Sequence, residues 1–277
     1  MSSPRSSSNS SNNNNNSLLA GPWVKGFFVL ASFGLLVFFV ASASQGTNTA
    51  TQNIANMEKP IDTVMVKTAG GSSAGHLMHG KVGDVPFYHC GAAHGEEKRD
   101  IILLHGAKFT KEDWKRSTIL SRLCGASSRL SVTALDLPVS ADAKQLQSVL
   151  QGLAVGEGLI LPEGNYVVVT PSASGATVVD WINNGDIDDL MESVGLWIPI
   201  ASPAIQKAKE EQLMVLREKS WPILALYGDQ DMAGKKVSER LRNLAGARVK
   251  QFPGPHPFYL DIPEYFVRYL LNELNAA

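Results

Sequence analysis

The chain has 277 residues, 44% of them apolar and 18% charged, so it can bury a sizeable core and is not disordered as a whole. Its formal net charge is −1, with no basic surplus to neutralise phosphates, which leaves a nucleic-acid-binding role without support. Two cysteines occur, Cys90 and Cys124, and their spacing fits no metal-binding pattern. They can pair in an oxidising compartment or persist as two buried thiols, and the spacing does not decide between these.

The N-terminal quarter reads differently from the rest. Residues 1–25 are Ser/Asn-rich, including the run Asn12 to Asn16, and carry too few apolar side chains to order themselves. Gly26 to Ala43 follows, an uncharged run of eighteen residues that is apolar on every face. At about 1.5 Å per residue it is just long enough for a transmembrane helix. Arg5 and Lys25 precede it and no Lys or Arg follows before Lys59. That asymmetry predicts a signal-anchor with a cytosolic N-terminus and the remaining chain lumenal or extracellular. The rival is a cleaved signal peptide ending at Ala41-Ser42-Ala43, which would leave a soluble secreted or lumenal protein. Residues 44–56 form a polar linker, and residues 57–277 are within the span of one α/β domain.

In that domain short apolar runs alternate with amphipathic stretches. Val64 to Val66 and Val85 to His89 read as early strands around a Gly- and His-containing turn. Asp100 to Leu104 is a continuous apolar run, as a central strand buried on both faces would be. Glu112 to Leu123 reads as a helix, Ser131 to Leu135 as a strand and Ala141 to Leu153 as a helix. Tyr166 to Val169 is a second buried strand, followed by a helix to about Ile182. Leu196 to Ile200 and Ile223 to Tyr227 are strands separated by a helical stretch, Ala204 to Arg217. Lys235 to Leu244 is helical, Val249 to Phe252 a short strand and Glu264 to Leu274 an amphipathic closing helix. The alternation predicts a mostly parallel, doubly wound sheet with helices on both faces.

Catalytic groups of such sheets gather at the carboxyl ends of the strands, and three ends carry chemistry. Tyr166 to Ala176 runs from a strand through Thr170-Pro171-Ser172-Ala173-Ser174-Gly175 into a helix, a turn that exposes a serine near a helix N-terminus. The G-x-S-x-G pattern is not met, since Thr170 and Ser174 stand where glycines are usual. Ser174 is an alternative nucleophile placed a half-turn later, and a plain N-cap is the bland reading. Trp221 to Asp231 ends a strand on Gly228 and offers Asp229 and Asp231. Phe252 to Asp261 places His256 between the last strand and the last helix.

Serine, acid, histidine is the chain order of alpha/beta hydrolases. A serine hydroxyl needs an imidazole to take its proton, and a carboxylate holds that imidazole in the required tautomer. The fourth piece is Leu103 to Phe109, where His105-Gly106 precedes a turn. There the backbone N–H of Ala107, with that of Ala173, would form an oxyanion hole, so His105 reads as structural rather than as a base.

These motifs closely resemble the alpha/beta-hydrolase domain-containing protein 14 group. The resemblance runs through LLHGAKFTKEDW, ALDLP, VVVTPSASG, ALYGDQD and HPFYLDIPE, between Ile101 and Glu264. It implies the alpha/beta-hydrolase fold, Ser172 as nucleophile, Asp231 rather than Asp229 as acid, and His256 as base. One form in that group is N-terminally anchored in a membrane, in keeping with the apolar run here. Two stretches depart from hydrolases of this fold at large: Val139-Ser140-Ala141 after Asp136-Leu137-Pro138, and Leu153 to Gly164, both expected beside the pocket.

The expected chemistry is acyl transfer from an ester, thioester or amide through an acyl-enzyme, with water or another acceptor completing it. The short stretch between Ile200 and Trp221 leaves no room for a large lid domain, which predicts an open site for small acyl groups. The rival from another class is a hydrolase-fold interaction module without catalysis. Asp-nucleophile hydrolases are disfavoured by the serine at 172. No metal cluster or dinucleotide fingerprint is present, so no cofactor is implied.

Overall fold

The computed structural model describes residues 77–91 and 98–275. The expected strand at Val64 to Val66, the Gly26 to Ala43 run, the segment before it and the linker after it lie outside the described residues. Among the described residues no helix is long and apolar enough to cross a membrane.

Eight strands form one sheet: β1 (Met78–Val82), β2 (Val85–Cys90), β3 (Arg99–Leu103), β4 (Leu130–Leu135), β5 (Tyr166–Pro171), β6 (Val194–Ile200), β7 (Leu224–Gly228) and β8 (Arg248–Phe252), in the spatial order β1-β2-β4-β3-β5-β6-β7-β8. β1 and β2 pair antiparallel to each other, β2 is antiparallel to β4, and the pairs from β4 through β8 are parallel. This is an alpha/beta-hydrolase fold. β4 and β5 are buried along their whole length because helices cover both faces.

The alternation of the strands divides the core in two. Ile102 and Val168 face one layer, with α3 (Ala143–Gln151), α4 (Gly175–Asn184), α5 (Ile187–Ser193), α6 (Glu210–Glu218) and α7 (Met232–Ala245) supplying Leu146, Trp181, Leu190, Leu213 and Leu241. Ile101, Leu103, Val167 and Val169 face the other, against α1 (Lys111–Arg116), α2 (Ile119–Ala126) and α8 (Pro263–Asn275) through Trp114, Leu123 and Phe266. Between β6 and β7 lie only the 3-10 turn Pro203–Lys207 and α6, so no lid domain is inserted there.

Three expectations need correction, and the state of the two cysteines, left open by their spacing, is decided. Glu112 to Leu123 is two helices, because Thr118 takes a left-handed backbone (φ 66°) that breaks the ladder. Met78 to Val82, inside the expected turn, is a full edge strand paired with β2, and Gly80 there packs against the ring of Phe87. Ile187–Ser193 is a helix that the hydrophobic pattern did not announce; Asp186 caps it through the N–H groups of Asp188 and Asp189. Cys90, at the end of β2, and Cys124, in α2, are joined as a disulfide with Cα atoms 5.8 Å apart, so they are not separate thiols.

Candidate active site

The site is assembled at the carboxyl ends of β3, β5, β7 and β8. β5 delivers Ser172 into a single 3-10 turn, Ser172–Ser174, that opens α4. Ser172 has φ 52°, in the left-handed region, a conformation that costs a non-glycine residue about 1–2 kcal/mol. Strain of this kind persists only where the surroundings impose it, and here it lifts the hydroxyl out of the buried strand line.

The missing glycines of the turn have a local explanation. Thr170 is buried and its Oγ1 accepts a hydrogen bond from Trp197 Nε1–H on β6 (2.9 Å). Ser174 is buried too and donates to the Pro171 carbonyl (2.9 Å), so it is committed to holding the turn and is not exposed as an alternative nucleophile. The close approach that usually demands glycine is displaced to Gly175. A Cβ there would lie 2.2 Å from Ser202 Oγ, so α4 can cross the end of β6 only without a side chain.

β7 ends at Gly228, and the two carboxylates beyond it do different things. Asp231 caps α7: its Oδ1 accepts from the N–H of Gly234 at 2.8 Å, while its Oδ2 meets His256 Nδ1 at 2.5 Å. The carboxylate accepts, so Nδ1 carries a proton, and in the neutral imidazole Nε2 is the nitrogen with the lone pair. Asp229 never reaches the imidazole. Its Oδ1 accepts from the N–H of Gly254 (2.9 Å), and its own N–H donates to the Phe252 carbonyl (2.7 Å). Gly228 makes this crossing possible, since a Cβ there would sit 2.3 Å from the Pro255 carbonyl oxygen.

β3 delivers the facing loop. His105 Nδ1–H donates to the Gly106 carbonyl (3.0 Å), and its Nε2 lies 3.8 Å from Asp136, which also accepts from the backbone N–H and the ammonium of Lys111. His105 is thus bound into the loop. Gly106 abuts the Ser172 turn: a Cβ on it would lie 3.5 Å from the Ser172 Cβ.

Between loop and turn is a cavity of about 340 Å³ lined by Gly106, Ala107, Lys108, Phe109, Pro171, Ser172, Ile200, His256, Pro257 and Tyr259. Ser172 and His256 share it, with no hydrogen bond between them. Asp231 stands behind His256 and does not line it. Ala107 does line it, whereas Ala173 is the next residue along the turn and does not. Burial pushes the Tyr259 phenol above its ordinary range, so it stays neutral.

The Leu153 to Gly164 stretch is not beside this pocket. Asp100 near the start of β3 accepts from the Leu161 N–H, and Lys98 reaches the Leu159 carbonyl, which fixes the stretch at the opposite, amino end of the strands. Val139 to Ala141 also contributes nothing to the cavity lining. The lining residues Lys108, Phe109, Ile200 and Tyr259 were not singled out from the sequence. Their position beside the motif residues was the only available signal. Among the described residues no group of three or more His, Cys, Asp or Glu side chains is arranged to hold a metal ion.

Comparison with known proteins places this arrangement. No family model matches the chain. It is 30% identical over 190 residues to the Homo sapiens protein named "Putative protein-lysine deacylase ABHD14B", covering 66% of this chain and 86% of that one. Among solved structures it is similar to a "predicted CIB-like hydrolase" from Thermoplasma acidophilum, with TM-score 0.55, 20% identity, and coverage of 73% of this chain and 99% of that chain. A dienelactone hydrolase from Anabaena variabilis aligns with TM-score 0.53 and 12% identity over 72% of this chain and 97% of that chain. At these identities the two structures speak for the fold alone.

Proposed function

The chain belongs to the ABHD14 family of alpha/beta hydrolases, and from that premise we propose that it is a serine hydrolase whose triad is Ser172, His256 and Asp231. The observation that carries the reading is a left-handed serine sharing one cavity with a histidine whose Nδ1 proton is held by a carboxylate. In the proposed mechanism His256 Nε2 takes the Ser172 proton as Oγ attacks an acyl carbonyl. The backbone N–H groups of Ala107 and Ala173 receive the oxyanion, and the imidazolium, steadied by Asp231, protonates the leaving group. Water, activated by the same imidazole, then releases the acid from Ser172.

A cavity of about 340 Å³ suits small acyl groups on an ester, thioester or amide. The name of the human relative favours an acylated lysine amide among these, and a non-water acceptor would use the same acyl-enzyme. The N-terminal run, with positive charge only before it, supports a single-pass anchor. The Cys90–Cys124 disulfide supports a domain on the lumenal or extracellular side.

Treating the full chain and its Ser172→Ala variant with a fluorophosphonate probe tests the assignment. Labelling of the parent alone is the expected result. A folded parent that takes no label would favour the non-catalytic module instead.

A further inference from the structure

We infer that Lys108 makes the site selective for substrates carrying an anionic group near the scissile carbonyl; the inference rests on the serine-hydrolase reading. Lys108 is the one Lys or Arg among the residues lining the cavity, and no carboxylate lines it. The rest of the lining is largely apolar, with Phe109, Pro171, Ile200, Pro257 and Tyr259.

The acids nearby are already committed. Asp136 takes Lys111 at 3.0 Å and Asp113 takes Arg116 at 2.6 Å. Glu112 accepts from the Tyr88 hydroxyl at 2.6 Å and from Lys111 at 3.3 Å. Lys115 lies over the Tyr88 ring at 4.9 Å. Lys108 alone among the lysines of this segment has no ion pair, hydrogen bond or ring contact among the described residues.

Its place in the chain matters as much as its charge. Lys108 directly follows Ala107, a step of about 3.8 Å between Cα atoms. Lys108 is exposed at the cavity rim, and an ammonium on its four-carbon stem can reach the first few atoms on either side of a carbonyl held at the Ala107 N–H. A carboxylate or sulfonate in that volume gains a partner that the protein does not supply with a counter-ion. A neutral acyl chain gains only the apolar walls. The anion can belong to the acyl chain, as in a dicarboxylic half-ester, or to the leaving group.

Two matched substrate pairs separate these sources. In the first, p-nitrophenyl butyrate is compared with the p-nitrophenyl half-ester of succinic acid. In the second, p-nitrophenyl acetate is compared with the acetyl ester of 4-hydroxybenzenesulfonate. The full chain serves as enzyme and Ser172→Ala gives the uncatalysed background. The quantity read is the anionic-to-neutral ratio of kcat/KM. In at least one pair it should fall about fivefold in Lys108→Ala, the upper range for a solvent-accessible ion pair. It should fall further in Lys108→Glu, survive in Lys108→Arg, and shrink in the parent as salt is raised.

Whichever pair responds identifies the side that carries the charge. Ratios unchanged across the variants in both pairs, with turnover intact, would overturn the inference and leave the hydrolase reading standing. No turnover above the Ser172→Ala background, together with no fluorophosphonate labelling of the parent, would overturn both.

Discussion

Asp231 is engaged twice, and the two engagements can be separated by substitution. Its Oδ2 holds His256 and its Oδ1 caps α7 at the Gly234 N–H. Asn is as good an N-cap as Asp, so Asp231→Asn keeps the cap and loses only the charge at the helix start, about 0.3–1 kcal/mol of stability. The imidazole, however, loses the acceptor that fixes its Nδ1 proton and balances its charge. Loss of that partner is worth about ten-thousandfold in kcat in a serine protease triad, or roughly 5.5 kcal/mol of barrier. Asp231→Ala should match that catalytic loss and also lose the cap, about 1 kcal/mol more of stability. Asp229→Asn retains an acceptor for the Gly254 N–H and should keep activity within a few-fold. Hydrolysis of p-nitrophenyl acetate and urea unfolding, measured on the same preparations, read the two effects independently. Retention of activity within tenfold in Asp231→Asn, or an equal collapse in Asp229→Asn, would refute the assignment of the acid.

Burial, helped by the nearby Lys98, pushes the His89 pKa down to about 4, so the folded state resists a proton that the unfolded chain accepts at its ordinary pKa of 6.5. Stability from this group is therefore complete above pH 6.5 and is lost as pH falls towards 4, by about 3 kcal/mol in all. Urea unfolding of the parent and of His89→Gln across that window should show the loss in the parent only. The Cys90–Cys124 bridge spans 34 residues of sequence, for which chain-entropy reasoning gives about 4 kcal/mol. A reductant should lower the unfolding free energy towards that amount, and an unchanged urea midpoint would show that the bridge contributes nothing.

The sequence carried the central strands and the candidate triad because both leave local marks. Ile101 to Leu104 and Tyr166 to Val169 are apolar without a break, as burial on both faces requires. Ser172, Asp231 and His256 each follow a strand, so their roles could be ordered from chain position before any distance was known. What was not legible depends on contacts between distant residues. The break at Thr118 has neither glycine nor proline to announce it, and Met78 to Val82 contains the glycine and lysine expected of a turn. Cys90 and Cys124 meet only because α2 packs beside the end of β2. The placement of Leu153 to Gly164 was misjudged for the same reason, since Asp100 and Lys98, which tie it to the far end of the sheet, gave no sign of doing so. Thr170 and Ser174 look like defects in a glycine motif until Trp197 and the Pro171 carbonyl are seen to use their hydroxyls.

Ser172 follows the central strand β5, while His256 follows β8, an edge strand that pairs with β7 alone and exposes Arg248 and Gln251. Edge strands open at lower free energy than the core they flank. The proposed reactive centre is thus divided between a strand inside the sheet and a strand at its margin. Under the proposed triad, fraying of that outer strand parts His256 from Ser172 while the rest of the fold persists, and turnover is expected to fall before any spectroscopic probe of the core registers a change.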